Sequence, residues 1–189
     1  MKLNILLAGV GGQGTVLASK ILAACAINKG VFARTAETIG MAQRGGSVVS
    51  HVRIGKNIAS PLIPKGKADL IIALEPAEAV RVLPYLKKGG NLVVNANAIK
   101  PVTDVSAKVP YIGEDMLEYL RNHVENLYII DGDKHCEDLG STKILNLVLL
   151  GISAKNDVLG FSTEDLLEVV DQKIPEKFKE LNKKALLIG

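Results

Sequence analysis

The apolar run Leu3-Asn4-Ile5-Leu6-Leu7-Ala8 stops at Gly9-Val10-Gly11-Gly12-Gln13-Gly14, and an apolar pattern of helical period starts at once beyond it. No other stretch narrows the fold as much. Residues 3–8 read as a buried strand, because apolar side chains follow one another from Ile5 to Ala8 without polar alternation. Leu17, Ala18, Ile21, Leu22 and Cys25 fall on one stripe of a helix over residues 14–28, and Gly30 ends it. A strand joined to a helix by a glycine turn is a βα unit, and it needs a sheet to bury both parts.

The rest of the chain repeats that alternation. Residues 31–35 predict a second strand, and residues 47–54 alternate weakly, with neither face clearly apolar. Pro61, Pro64 and Gly66 make residues 61–67 a loop, and 70–74 is a buried strand. Pro76 opens a helix expected to run to about Lys87, with Gly89-Gly90 as its stop. Residues 92–95 form the next strand, followed by a proline-bounded excursion over 100–110. A helix over 114–124, a strand over 127–130 and an apolar helix over 140–153 complete the pattern. Ser162 and Asp165 have the spacing of a capping box for a helix over 163–172, and Pro175 separates it from a last Lys-rich helix. The fold class predicted is α/β: a Rossmann-like three-layer sandwich with a largely parallel sheet. It is expected as one domain over 1–189, with a helical C-terminal segment from about residue 161. At 189 residues, 48% of them apolar, the chain can fill one sizeable core.

Composition removes several function classes. Formal net charge is +3, Trp is absent, and Phe and Tyr number three and four, so neither a basic stripe nor a base-stacking platform is present. No nucleic-acid partner is expected. Cys25 and Cys136 are too few for a disulfide framework or for a cluster held by four thiolates; they read as reduced thiols of a cytoplasmic protein. Residues 9–14 interrupt the apolar segment that a signal peptide would need, and no run nears the ~20 apolar residues that span a bilayer. No membrane association is expected. His135 beside Cys136 gives two groups where a metal site usually needs three or four, so the pair is expected at the surface, with no metal assigned.

Two glycine-rich loops carry the chemistry. Read as G-x-G-x-x-G, residues 9–14 fit a turn that brings backbone N–H groups to an anion at a helix start. They fit equally a tight turn whose glycines allow close packing. A dinucleotide fold also wants an acid ending the second strand, and the nearest one, Glu37, is expected to lie beyond that strand in a loop. Gln13 adds an amide donor and acceptor, which suits a specific contact to a ligand or partner. The second loop, Glu37-Thr38-Ile39-Gly40-Met41-Ala42-Gln43-Arg44-Gly45-Gly46-Ser47, lacks apolar periodicity and sets Arg44 between Gln43 and Gly45. In a doubly wound sheet it stands at the same carboxyl edge as the first loop, where the Arg44 fork suits phosphate or carboxylate. Gly9, Gly11, Gly12, Gln13 and Gly14, with Gln43, Arg44, Gly45, Gly46 and Ser47, are therefore the candidate binding or interface residues. No catalytic residue is assigned.

These two loops resemble the gamma-type domain of the 2-oxoacid:ferredoxin oxidoreductases. So do Ser60-Pro61-Leu62-Ile63-Pro64, Ala68-Asp69-Leu70, the stretch Ala73-Leu74-Glu75-Pro76-Ala77-Glu78-Ala79, and Leu139-Gly140 with Asn146 and Leu150-Gly151. The match runs in order over about four-fifths of the chain. Its wording is most similar to the small subunit of the indolepyruvate-oxidising branch, while residues from Phe161 onward match no motif. The resemblance implies a subunit of an enzyme that decarboxylates 2-oxoacids on thiamine diphosphate, passes electrons through iron–sulfur clusters to ferredoxin, and uses CoA as co-substrate. Those cofactors are implied on the partner alpha subunit, with none bound by this chain alone. Gln13 and Arg44 would then be the polar tips of a contact surface toward the CoA side. The residues leave two alternatives: an NAD(P)-dependent oxidoreductase with Arg34 or Arg44 near a 2′-phosphate, and a nucleotide-binding regulatory module.

Overall fold

The computed structural model describes residues 1–39, 46–99 and 111–188. Six strands form one sheet: β1 (Leu3–Val10), β2 (Ala33–Ile39), β3 (Ser47–Ile54), β4 (Ala68–Ala73), β5 (Leu86–Asn95) and β6 (Asn126–Ile130). The seven α-helices among the described residues are α1 (Thr15–Asn28), α2 (Pro76–Val82), α3 (Gly113–His123), α4 (Gly132–Asp138), α5 (Leu145–Lys155), α6 (Thr163–Lys173) and α7 (Glu176–Leu187). The strand order is β2-β3-β1-β4-β5-β6. The β1–β4, β4–β5 and β5–β6 pairs are parallel, whereas β3 runs antiparallel to both β1 and β2. Only β3 therefore runs against the others, and the expected three-layer, largely parallel architecture is present.

The alternation of side chains along β1 divides the core. Ile5 and Leu7 face one side, where Val52, Ile54, Leu70, Ile72 and Val93 meet the helices α1, α5, α6 and α7. Leu6 and Ala8 face the other, where Ile71, Ala73, Leu92 and Val94 meet α2 and α3. After β1 the chain crosses to β2 on one side; after β3 it returns to β4 on the other. The connections thus diverge between β1 and β4, the position at which open α/β sheets leave a crevice at their carboxyl edge.

Local chemistry explains the boundaries, including those that differ from expectation. Gly30 (φ +70°) ends α1 as predicted, with its N–H on the Ile27 carbonyl and the Val31 N–H on that of Ala26. The helix from Pro76 stops at Val82 and not at Lys87, because Pro84 in the following 3-10 turn cannot continue it. Lys87 and Lys88 then start β5 as exposed residues. The second strand is Ala33–Ile39, so Glu37 lies within it; as an edge strand it tolerates exposed Arg34, Glu37 and Thr38. Gly140 (φ +73°) does not open α5. It closes α4, a polar helix without apolar periodicity, through Gly140 N–H to Glu137 O and Ser141 N–H to Cys136 O. Ser162 and Asp165 form the predicted capping box, and Asp165 also pairs with Lys29 at 2.8 Å, tying α6 to the end of α1.

Candidate functional site

The glycine turn closes on itself before it meets anything else. Gly12 (φ +103°) and Gly14 (φ +84°) adopt left-handed backbone, which other residues take only at a cost. At Gly9 a Cβ would lie 2.7 Å from Gln13 Oε1, so a larger residue would displace that amide. The Gln13 Oε1 accepts the Val10 N–H at 2.8 Å, and Nε2 donates to the Leu74 carbonyl at 2.9 Å. The Gln13 amide thus staples the end of β1 to the end of β4 across the divergence point. The Gly11 N–H donates to the Gly46 carbonyl at 2.9 Å, and Asn146 Nδ2 to the Gly14 carbonyl at 3.0 Å. The first turn of α1 has no side-chain cap, which leaves the positive end of its dipole at this loop.

The turn forms one wall of a cleft of about 480 Å³ at the carboxyl edge. Val10, Gly11, Gly12 and Gln13 face Asn95 and Asn97 beyond β5, Asp133 in α4, and Thr142 and Lys143 before α5. Asn95, buried at the end of β5, organises the opposite wall. Its Oδ1 accepts the Gly132 N–H at 3.0 Å, while Nδ2 reaches Asp133 Oδ1 at 3.2 Å and the Leu74 carbonyl at 3.4 Å. A Cβ on Gly132 would lie 2.4 Å from Leu145 Cδ1 and 2.9 Å from Asn95 Oδ1, so a larger residue would displace both side chains. The cleft therefore offers a helix dipole and a lysine to an anion, beside one oriented carboxylate. Sequence reasoning missed Asn95 and Asp133; the available signal was a lone Asn ending the apolar run 92–94.

The second loop returns to the same edge. Its flanks, Ile39 at the end of β2 and Gly46 before β3, stand there because β2 runs in the direction of β1. Gln43, Arg44 and Gly45 lie outside the described residues. Ser47 Oγ donates to Glu78 Oε2 at 2.5 Å, and that oxygen also lies 3.3 Å from Arg81 Nε. Glu75 caps α2 through the Glu78 N–H at 3.0 Å and accepts from the Tyr111 hydroxyl. Burial, with the Glu75 carboxylate second, holds the Tyr111 phenol well above its ordinary pKa, so it remains a donor. The buried Glu78 carboxylate thus ties the start of β3 to α2, and the buried Glu75 carboxylate ties α2 to Tyr111.

The geometry speaks against a dinucleotide site. Glu37 stands on β2, separated from β1 by β3 and so by roughly 10 Å of sheet, and accepts from Ser19 Oγ at 3.3 Å. Arg34 pairs in register with Arg53 and, through it, Asn4. That level is the amino end of β1, away from the glycine turn, and Arg34 stacks over the Phe32 ring at 5.5 Å. The expected surface position of Cys136 is also corrected. Neighbours on a helix point about 100° apart, so Cys136 enters the core while His135 is only partly covered. Burial pushes the thiols of Cys25 and Cys136 up to about 12 and about 11, which keeps both protonated.

Comparison with known proteins agrees with this architecture. A family profile described as pyruvate ferredoxin/flavodoxin oxidoreductase matches residues 4–189. The chain is 41% identical to indolepyruvate oxidoreductase subunit IorB of Archaeoglobus fulgidus, over all of this chain and 94% of that one. It is 36% identical to the subunit of the same name from Pyrococcus horikoshii, over 98% and 93% of the two chains. The gamma subunit of a keto/oxoacid ferredoxin oxidoreductase from Geobacter sulfurreducens superposes with a TM-score of 0.68 at 28% identity, covering 97% of this chain and 94% of that one. A stapled glycine turn at the divergence point, on a sheet that separates Glu37 from β1, is thus the form this fold takes in a chain that belongs to the pyruvate ferredoxin/flavodoxin oxidoreductase family.

Proposed function

We propose that this chain is the small subunit of a cytoplasmic indolepyruvate:ferredoxin oxidoreductase. It assembles with a large alpha subunit for the CoA-dependent oxidative decarboxylation of aryl pyruvates, with ferredoxin as electron acceptor. The observation that carries the reading is the 41% identity with an indolepyruvate oxidoreductase subunit over the whole chain. Thiamine diphosphate and iron–sulfur clusters are assigned to the partner: the two cysteines here are buried and held protonated, which does not fit cluster ligation. The contribution of this chain is binding and orientation. The uncapped end of α1 and Lys143 attract an anionic group of CoA or of the oxoacid, and Asn95 fixes Asp133 on the facing wall. Gly9, Gly11, Gly12, Gln13 and Gly14 hold the shape of that wall. Gln43, Arg44 and Gly45, which precede Gly46 and Ser47 in the chain, are the further candidate binding or interface residues, with the Arg44 fork taking phosphate or carboxylate.

Co-expression with the large subunit tests the reading. The chain alone is expected to be colourless and to bind neither thiamine diphosphate nor NAD(P)H. With the partner it should co-purify as a brown, oxygen-sensitive complex. A micromolar affinity for NADH, about −8 kcal/mol, in the isolated chain would restore the dehydrogenase reading.

A further inference from the structure

Next to the cleft, and sharing Lys143 with it, runs an apolar groove of about 370 Å³. Its walls are Leu17 in the first turn of α1, Ile144 before α5, Ile174 after α6, and Phe178 and Leu181 of α7. Phe178 is 47% exposed and Leu17 36%, so an amphipathic helix leaves part of its apolar surface uncovered beside the candidate site. The rim is basic. Lys143, Lys173 and Lys177 are exposed and make no ion pair among the described residues, and the Lys177 ammonium lies 4.8 Å over the Phe178 ring. Two acids of the same helices have other partners: Glu176 pairs with Lys179 at 2.8 Å, and Asp171 with Lys183 at 2.6 Å.

We infer that this groove is the docking surface for an acidic segment of the large subunit, anchored by apolar side chains against Phe178 and Leu17. The inference rests on the functional reading above. Charge complementarity selects the occupant, because unpaired lysines around an apolar floor favour a partner carrying carboxylates at the rim. A second copy of this chain, paired face to face about a twofold axis, would bring the same lysines together, so self-association is disfavoured. Continuity gives the surface its consequence: a segment held here reaches the cleft at Lys143, and docking would place large-subunit residues over the glycine turn.

Affinity for the large subunit should be measured for wild type, Phe178→Ser, the double variant Lys173→Glu/Lys177→Glu, and Phe32→Ser. Phe32 is 51% exposed on the amino-end side of the sheet and serves as the control. Phe178→Ser is expected to weaken binding about tenfold to a hundredfold, as anchor residues do. The double charge reversal should weaken it and flatten its salt dependence. Phe32→Ser should bind like wild type, and melting of the isolated variants should be unchanged. Hydrogen exchange of the assembled wild type should show new protection over residues 173–182, a readout that needs no variant. Wild-type affinity in both groove variants, or no new protection there, would overturn the inference and leave the functional reading standing. So would a homodimer lost on Phe178→Ser, or tight binding to anionic vesicles that the large subunit does not displace. Failure of the wild-type chain to assemble at all would instead sink the functional reading on which the inference rests.

Discussion

Gln13 couples two strand ends through a single amide, and its bonds explain why a Gln follows the glycines. The Val10 N–H donates to it at 2.8 Å, and the Leu74 carbonyl takes its shorter bond from it at 2.9 Å, with Asn95 Nδ2 as a second donor at 3.4 Å. Gln13→Ala should therefore destabilise the chain by about 1–3 kcal/mol, the cost of leaving part-buried groups unpaired, and urea denaturation measures it. A loss near zero would mean that water replaces the amide and that the staple carries no energy. His51 is a second residue with a defined consequence. It is buried on β3, its Nδ1 accepts the Ile63 N–H at 3.1 Å, and the Tyr85 ring lies edge-on at 6.0 Å. Burial lowers its pKa below the ordinary 6.5. The unfolded chain then takes up the proton first as pH falls, so this contribution to stability is complete above pH 6.5. It is lost as pH drops through 6.5 toward the folded value. A melting series from pH 8 to pH 5 should show the decline, and His51→Gln should flatten it by retaining an acceptor that does not titrate.

At the scale of elements, the α5–α7 crossing brings two helix backbones into close approach away from the site. A Cβ on Gly151 would lie 2.3 Å from the Leu186 carbonyl oxygen and 2.9 Å from its Cα. Alanine is the better helix former by about 1 kcal/mol, yet Gly151→Ala should destabilise by about 1–3 kcal/mol because the backbone of α7 must retreat. Chemical denaturation decides the sign, and a stabilised variant would mean that α7 does not dock on Gly151. The elements also differ in how far the sequence declares them. The β1–turn–α1 unit and the Ser162–Asp165 capping box are legible because their determinants are local: glycines where the backbone needs them and a cap three residues from its partner. The length of β5 is not, because Lys87 and Lys88 resemble a basic last helical turn until Pro84 is weighed against them. Nor is α4, whose residues 132–138 are mostly polar and show no stripe. The antiparallel direction of β3 depends on pairing Val10 with Ser47, a contact between distant residues that periodicity does not encode. The site divides in the same way. The glycine turn is readable, but Asn95 and Asp133 become functional only when β5 and β6 bring their ends together.

As a whole molecule, the chain gathers the groups of its candidate site at one edge of the sheet, while Asn4, Arg53 and Asp69 form a separate polar network at the opposite edge. The staple at Gln13, the Asn95 hub and the Ser47–Glu78 bond all stand at the edge of the sheet where β1, β4 and β5 end. No helix among the described residues is long and apolar enough to cross a membrane. The cleft holds a lysine, a helix dipole and one fixed carboxylate, a set suited to holding a substrate and not by itself to oxidising one. On the proposed function, redox chemistry comes from the large subunit. The most direct measurement is a titration of the purified chain into the purified large subunit, following viologen reduction with indolepyruvate and CoA. Neither component should be active alone, and the rate should climb to a plateau at a fixed subunit ratio. Full activity from the large subunit without this chain, or turnover by this chain without the large subunit, would contradict the account.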